Sequence, residues 1–74
     1  MAFDFSKLRG RIIEKFGSCA AFASAVGLPE SSISARLNNR VHIDSDEIMR
    51  WSQPELLDIP LREVHVYFLT PKVR

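Results

Sequence analysis

The chain has 74 residues, of which 46% are apolar and 26% are charged, and its formal net charge at pH 7 is +1. This length supports one small hydrophobic core, and the composition is that of a globular chain. It contains no apolar run near the roughly 20 residues that span a membrane, no signal-peptide pattern and no second cysteine beside Cys19. We therefore expect a single domain over residues 1–74 in a reducing cytoplasm.

The charges are unevenly distributed along the chain. Residues 1–40 carry six basic and three acidic side chains, whereas residues 41–74 carry four basic and six acidic ones. A positive half beside a negative half suits a protein that presents one end to the phosphates of nucleic acid. An imbalance of this size also arises by chance in a short chain, so charge alone does not identify a partner.

The first predicted helix runs from about Phe5 to Phe16, with Asp4 or Ser6 as its N-cap. Its opposite face is mostly charged, which is typical of an amphipathic helix on a small bundle. The residues that form its apolar stripe are Phe5, Leu8, Ile12 and Phe16.

Residues 18–40 contain two short helical patterns separated by one glycine. Gly27 lies where the chain leaves the first helix, a position that favours a positive φ and therefore glycine. The order helix, tight turn, helix predicts a helix-turn-helix. The second of these helices has short side chains on its outward face, so its backbone can approach another surface closely. The residues expected to be buried are Cys19, Phe22, Ala23, Val26, Ile33 and Leu37.

A fourth helix is predicted to begin after Asp44, because Asp44 and Glu47 occupy the two positions of a capping box. Three acidic residues near its start also suit the positive end of the helix dipole. Pro54 is unfavourable inside a continuous helix, so this helix should end near Trp51.

The segment after Pro60 fits two structures. Leu61, Val64 and Phe68 are spaced as in a helix, whereas alternation at 64, 66 and 68 is typical of a strand. Residues 64–69 are also rich in β-branched and aromatic side chains. We therefore predict an all-α fold, a compact bundle of four to five short helices containing a helix-turn-helix, with a C-terminal segment that is either helical or extended.

This pattern resembles the phage repressor and Cro-like helix-turn-helix family, the lambda-repressor-like DNA-binding domain. Two positions depart from the usual family pattern. Cys19 stands where a glutamine commonly contacts phosphate, and Pro29 stands where a serine or threonine often caps the recognition helix. The residues that carry the resemblance are Ser18, Phe22, Ala23, Gly27, Leu28, Pro29, Ile33, Ser34, Leu37, Asn38, Asn39 and Arg40.

The resemblance implies a sequence-specific DNA-binding transcription regulator that binds double-stranded operator DNA as a homodimer, with half-sites about 34 Å apart. Its recognition helix would be residues 30–38 in the major groove. The residues expected nearest the bases are Glu30, Ser31, Ser32, Ser34, Ala35 and Asn38. The residues expected at phosphates are Arg11, Ser18, Arg36, Asn39 and Arg40.

A second hypothesis belongs to a different class of function. Some small phage proteins with this domain act by binding a partner repressor, a second phage regulator, rather than by reading an operator. The contact surface would then be the C-terminal segment 61–70, which is also the expected dimer surface under the first hypothesis. Its named residues are Val64, Val66, Tyr67, Phe68 and Leu69.

Catalysis and cofactor binding are not expected. His42 and His65 are too far apart in sequence, with a single cysteine, to form a metal-ligand spacing, and the chain has no glycine-rich phosphate loop. Cys19 near a helix start could be a reactive thiol, but an apolar role on the helix stripe is the favoured interpretation.

Overall fold

The structure is a computed structural model that describes residues 2–72. This part of the chain forms five α-helices: α1 (Ser6–Phe16), α2 (Cys19–Val26), α3 (Glu30–Leu37), α4 (Ser45–Trp51) and α5 (Val64–Phe68). A 3-10 helix, Leu61–Glu63, leads directly into α5. The predicted all-α bundle is confirmed. None of the helices within residues 2–72 is long and apolar enough to cross a membrane.

The boundaries of α1, α2 and α3 follow from local sequence. Gly17 and Gly27 end α1 and α2 with φ of 84° and 78°, in the left-handed region that favours glycine. The Ser18 hydroxyl caps α2 by accepting from the amide of Ala21 at 3.1 Å. Pro29 precedes α3 in extended backbone, which a proline adopts without strain. Together α2, the Gly27 turn and α3 form the predicted helix-turn-helix order.

The start and end of α4 also agree with the sequence pattern. Asp44 and Glu47 form the capping box, with the Glu47 amide donating to Asp44 at 2.8 Å. The helix ends at Trp51, and the following turn folds back onto it. The amide of Leu57 donates to the carbonyl of Trp51 at 3.0 Å, and that of Ile59 donates to Ser52 at 3.1 Å.

Trp51 lies at the centre of the core and is 1% exposed. Its ring packs edge-on against Phe22 of α2, with centroids 5.0 Å apart, and against Phe68 of α5 at 6.3 Å. Phe16 of α1 contacts Phe22 at 5.3 Å, so the aromatic side chains connect four helices. The other buried core residues are Phe5, Leu8, Ile12, Ala23, Val26, Ile33, Leu37, Leu57 and Ile59.

The C-terminal segment is helical, so the strand alternative is wrong. Helical spacing places Phe68 against Trp51, and this packing outweighs the β-propensity of the segment. Backbone pairing between the ends of the described chain is limited to one antiparallel bridge, Phe3 to Pro71.

The prediction that Phe68 belongs to a partner surface is also wrong, because this side chain is only 2% exposed. Val64, Val66 and Tyr67 are half-buried, and Leu69 is exposed.

Replacement of Trp51 by alanine should destabilise the protein by about 3–5 kcal/mol, because it removes the ring contacts with Phe22 of α2 and Phe68 of α5 and leaves a large cavity. Met49→Ala is the matched control, since Met49 lies on the same helix but is 50% exposed. Its effect should be within about 1 kcal/mol. Urea denaturation followed by circular dichroism measures both values. Equal losses for the two variants would contradict the central role of Trp51.

Candidate functional site

The outer face of α3 presents short polar side chains, as the sequence predicts. Glu30, Ser31, Ser34 and Asn38 are exposed, and Ser32 and Ala35 are half-buried. Ile33 and Leu37 point into the core with 0% and 4% exposure. The charged residues of α3 are Glu30 at its start and Arg36 in its last turn.

Arg11 and Arg36, predicted as phosphate contacts, are bonded within the molecule instead. Arg11 donates to the backbone carbonyl of Leu57 at 2.8 Å and to that of Asp58 at 2.6 Å. Its guanidinium also lies 5.8 Å from the ring centroid of Tyr67. These contacts attach α1 to the turn after α4 and to α5.

Arg36 forms a two-point ion pair with Glu47 of α4. Its Nε lies 3.1 and 3.0 Å from the two carboxylate oxygens, and its Nη2 lies 2.8 Å from Oε2. The Nη1 atom donates to the carbonyl of Ser32 at 3.0 Å. The two side chains are only 16% and 20% exposed. All three guanidinium nitrogens of Arg36 are therefore bonded, and the ion pair joins α3 to the capping box of α4.

The other three residues predicted at phosphates differ in their contacts. Ser18 is the N-cap of α2, and the side-chain amide of Asn39 is bonded to the backbone of Phe3. Arg40 is exposed and makes no side-chain hydrogen bond within residues 2–72. The structure therefore leaves Arg40 as the one arginine of the predicted phosphate set that is not already bonded to the described chain.

A polar cleft separates the start of α1 from the end of α3. Arg9 donates from Nη2 to the side-chain oxygen of Asn38 at 3.2 Å. The hydroxyl and the backbone amide of Ser6 donate to Asp4, and these bonds, aided by the charge of Lys72, hold the pKa of Asp4 below its usual value. Asp4 therefore stays ionised at neutral pH and offsets part of the positive charge of the cleft.

An apolar groove lies between the end of α4 and the 3-10 helix. Met49 is 50% exposed and Leu61 is 73% exposed, which makes Leu61 the most exposed large apolar residue of the described chain. The groove has a volume of about 190 Å³. That is below the roughly 300 Å³ at which small-molecule sites begin, so it suits one or two inserted side chains. Its lining residues are Met49, Ser52, Gln53, Pro54, Ile59, Leu61 and Val64.

Metal-ligating side chains are not grouped in this structure. Among residues 2–72, no three or more His, Cys, Asp or Glu side chains lie where they could hold one metal ion. Cys19 is half-buried and packs against the core, in keeping with the favoured apolar role.

The comparisons with known proteins assign a family. Residues 1–71 match DUF739, a protein family of unknown function. The chain belongs to the DUF739 family. It is also similar to the solution structure of the modulator of repression (MOR) of the temperate bacteriophage TP901-1 from Lactococcus lactis, with 36% sequence identity and a TM-score of 0.80. This similarity covers 100% of the present chain and 97% of that one. No curated protein matches the sequence.

These findings correct the functional prediction. Assignment to the Cro and repressor family of DNA-binding proteins is wrong, because the matching family is DUF739 and the similar structure is a modulator of repression. The prediction of an operator-binding repressor fails with it, and the alternative of a small modulator is the better supported. The comparisons support neither DNA nor a second copy of this chain as a partner. The glycine turn and the apolar spacing specify how two helices pack, and do not specify what the outer face binds.

Sequence reasoning missed the ion pair of Arg36 and the apolar groove. Arg36 and Glu47 are eleven residues apart on different helices, so no local periodicity relates them. The groove combines Met49 with Leu61, and it forms only when the turn after Trp51 folds back. One signal was available for Leu61: it follows Pro60 at the first position of a helical segment, where a side chain has few neighbours.

A double-mutant cycle with Arg36→Ala and Glu47→Ala should give a coupling energy of about 1–2 kcal/mol, as expected for half-buried groups in direct contact. The control cycle uses Arg11 and Glu14, whose atoms are 3.5 Å apart and whose carboxylate side chain is 65% exposed. That coupling should stay below about 0.5 kcal/mol. Both cycles are measured by urea denaturation. Similar coupling energies in the two cycles would contradict a structural role for the Arg36 pair.

Proposed function

We propose that this chain is a modulator of repression that acts by binding a repressor protein. The observation that carries the proposal is its similarity, at 36% identity over its whole length, to a phage modulator of repression. Similarity at this identity and coverage supports a common function as well as a common fold.

The arrangement of the arginines supports protein binding over phosphate binding. Nucleic-acid affinity depends on cationic side chains that are free to neutralise phosphates. Arg11 and Arg36 are instead bonded to the carbonyls of Leu57 and Asp58 and to the carboxylate of Glu47. Redirecting either one towards DNA would break these bonds and leave the part-buried carbonyl of Leu57 or the carboxylate of Glu47 without its arginine partner.

The apolar groove is the surface that we assign to the repressor. Protein interfaces depend on a few apolar or aromatic anchors that become buried on binding. Leu61 projects from a short 3-10 helix whose start is fixed by Pro60, and Met49 projects from α4 beside it. Because the backbone at both positions is already ordered in helical elements, binding there costs side-chain entropy and little backbone entropy. This assignment keeps Leu61 and Val64 of the predicted segment 61–70 and adds Met49 of α4. It leaves out Val66, Tyr67, Phe68 and Leu69, which do not line the groove.

The test uses a purified repressor encoded by the same genome and a fluorescently labelled duplex that carries its operator. Adding the wild-type chain should change the apparent operator affinity of the repressor about tenfold or more, which corresponds to a coupling free energy of about 1.4 kcal/mol. Fluorescence anisotropy measures this change. The chain alone should leave the anisotropy of the duplex unchanged at the same salt concentration.

Leu61→Asp should remove most of this effect, because it places a charge in the proposed interface. Ile13→Asp is the matched control: Ile13 is 51% exposed, lies on α1 and does not line the groove. It should behave as the wild type does, provided that circular dichroism confirms that both variants fold. If the wild-type chain leaves repressor binding unchanged, the proposed function is wrong. If both variants retain the full effect, the groove is not the contact surface.

A further inference from the structure

The two ends of the described chain are joined to each other by backbone hydrogen bonds. The amide of Asp4 donates to the carbonyl of Thr70 at 2.8 Å, and the amide of Lys72 donates to the carbonyl of Ala2 at 3.1 Å. Between these bonds, Phe3 and Pro71 form an antiparallel bridge. We call residues 2–4 and 70–72 together the clasp.

The side chain of Asn39 takes the place of a third strand beside the clasp. Its Oδ1 accepts from the amide of Phe3 at 3.0 Å, and its Nδ2 donates to the carbonyl of Phe3 at 2.9 Å. An antiparallel neighbour in a sheet would satisfy Phe3 in the same two-point way. Residues 2–4 are thus bonded on both edges, by residues 70–72 on one side and by one amide side chain on the other.

Phe3 of the clasp and Asn39 both line a small cavity of about 50 Å³. Phe5 and Phe68 line the cavity and belong to the core, with 6% and 2% exposure. Val41 and Leu69 also line it and are 45% and 48% exposed. Displacement of residues 2–4 would remove Phe3 from this lining and open access to Phe5 and Phe68.

We propose that the clasp is a strap whose two segments separate from each other without unfolding of the helices, and that Asn39 holds it closed. The bonds that close it lie at the surface, and Ala2, Asp4, Pro71 and Lys72 are exposed. Segments closed by exposed hydrogen bonds with few buried side chains open more readily than the core. Opening uncovers the cavity between Phe5 and Phe68.

The geometry of Asn39 explains why an asparagine occupies this position. Its φ is 63°, in the left-handed region, where asparagine is tolerated better than most residues with a side chain. Glycine adopts the same φ at least cost but has no amide. Asn39→Gly therefore removes the two bonds to Phe3 while leaving the backbone at position 39 relaxed.

The experiment measures amide hydrogen exchange by NMR in the wild type and in Asn39→Gly. The amides of Phe3, Asp4 and Lys72 should exchange about tenfold faster or more in the variant, the size expected for loss of two hydrogen bonds. The Lys72 amide is the decisive one, because it does not contact Asn39 and its partner is the carbonyl of Ala2, so it accelerates only if residues 2–4 separate from residues 70–72. The amides of Ile12 and Val26, in buried parts of α1 and α2, should keep larger protection factors than the clasp amides in both proteins, because they exchange only when the helices unfold.

Asp58→Gly is the matched control. Asp58 is the other non-glycine residue with positive φ in the described chain, at 52°, and it lies in the turn after α4. This variant should leave the exchange of the clasp amides unchanged. A soluble paramagnetic probe provides the second measurement, since the ring protons of Phe5 and Phe68 should broaden more in Asn39→Gly than in Asp58→Gly.

Three results would overturn the proposal. Acceleration at Phe3 without acceleration at Lys72 would show that loss of the Asn39 bonds frees Phe3 alone and leaves the two segments paired. Equal protection factors for the clasp amides and for Ile12 and Val26 would show that the clasp opens only by global unfolding, and unchanged rates everywhere would show that Asn39 does not hold the strap. None of these measurements requires a repressor, so their outcome is independent of the proposed function.

Discussion

The packing of Trp51 is the interaction on which the rest of this structure depends. Its ring contacts Phe22 of α2 and Phe68 of α5, and its backbone carbonyl accepts the hydrogen bond from Leu57 that folds back the turn after α4. A chain of this length has few other means of holding a terminal helix of five residues, which would not be stable alone. The apolar groove follows from the same contact, because Met49 and Leu61 come together only when the turn is folded back onto α4.

The second constraint is the use of arginine to connect helices. Arg36 joins α3 to the start of α4, Arg11 joins α1 to the turn after α4, and Arg50 donates to the carbonyl of Val26 at the end of α2 at 2.9 Å. Each guanidinium donates to part-buried carbonyl or carboxylate oxygens of another element. The helix-turn-helix keeps the shape of a DNA-binding motif. However, Arg11 and Arg36, whose charges could bind phosphates, are bonded to other parts of the same chain. Shape alone therefore does not predict its partner.

Local patterns predicted most of the fold because the features involved are local. The capping box at Asp44 and the glycine at position 27 depend on residues within one helical turn, and both were predicted correctly. The state of the C-terminal segment was left open because it depends on whether Phe68 finds an apolar contact, and Trp51 is seventeen residues away. The candidate site was predicted less well. The exposure of Glu30 and Asn38 follows from helix periodicity. The ion pair between Arg36 and Glu47 instead depends on how α3 and α4 pack.

Residues 61–70 contribute to three parts of the molecule. Phe68 lies in the aromatic core, whereas Leu61, in the 3-10 helix before α5, belongs to the groove and Thr70, after α5, belongs to the clasp. The hydroxyl of Thr70 donates to the carbonyl of Val66 at 2.6 Å, so the clasp is bonded to the last turn of the helix itself. Because Phe68 holds the middle of this segment, opening of the clasp need not disturb the groove. A partner that binds the groove and a change that opens the clasp would therefore act on the two ends of residues 61–70. Between these ends, Phe68 packs against Trp51 and holds the segment in the core.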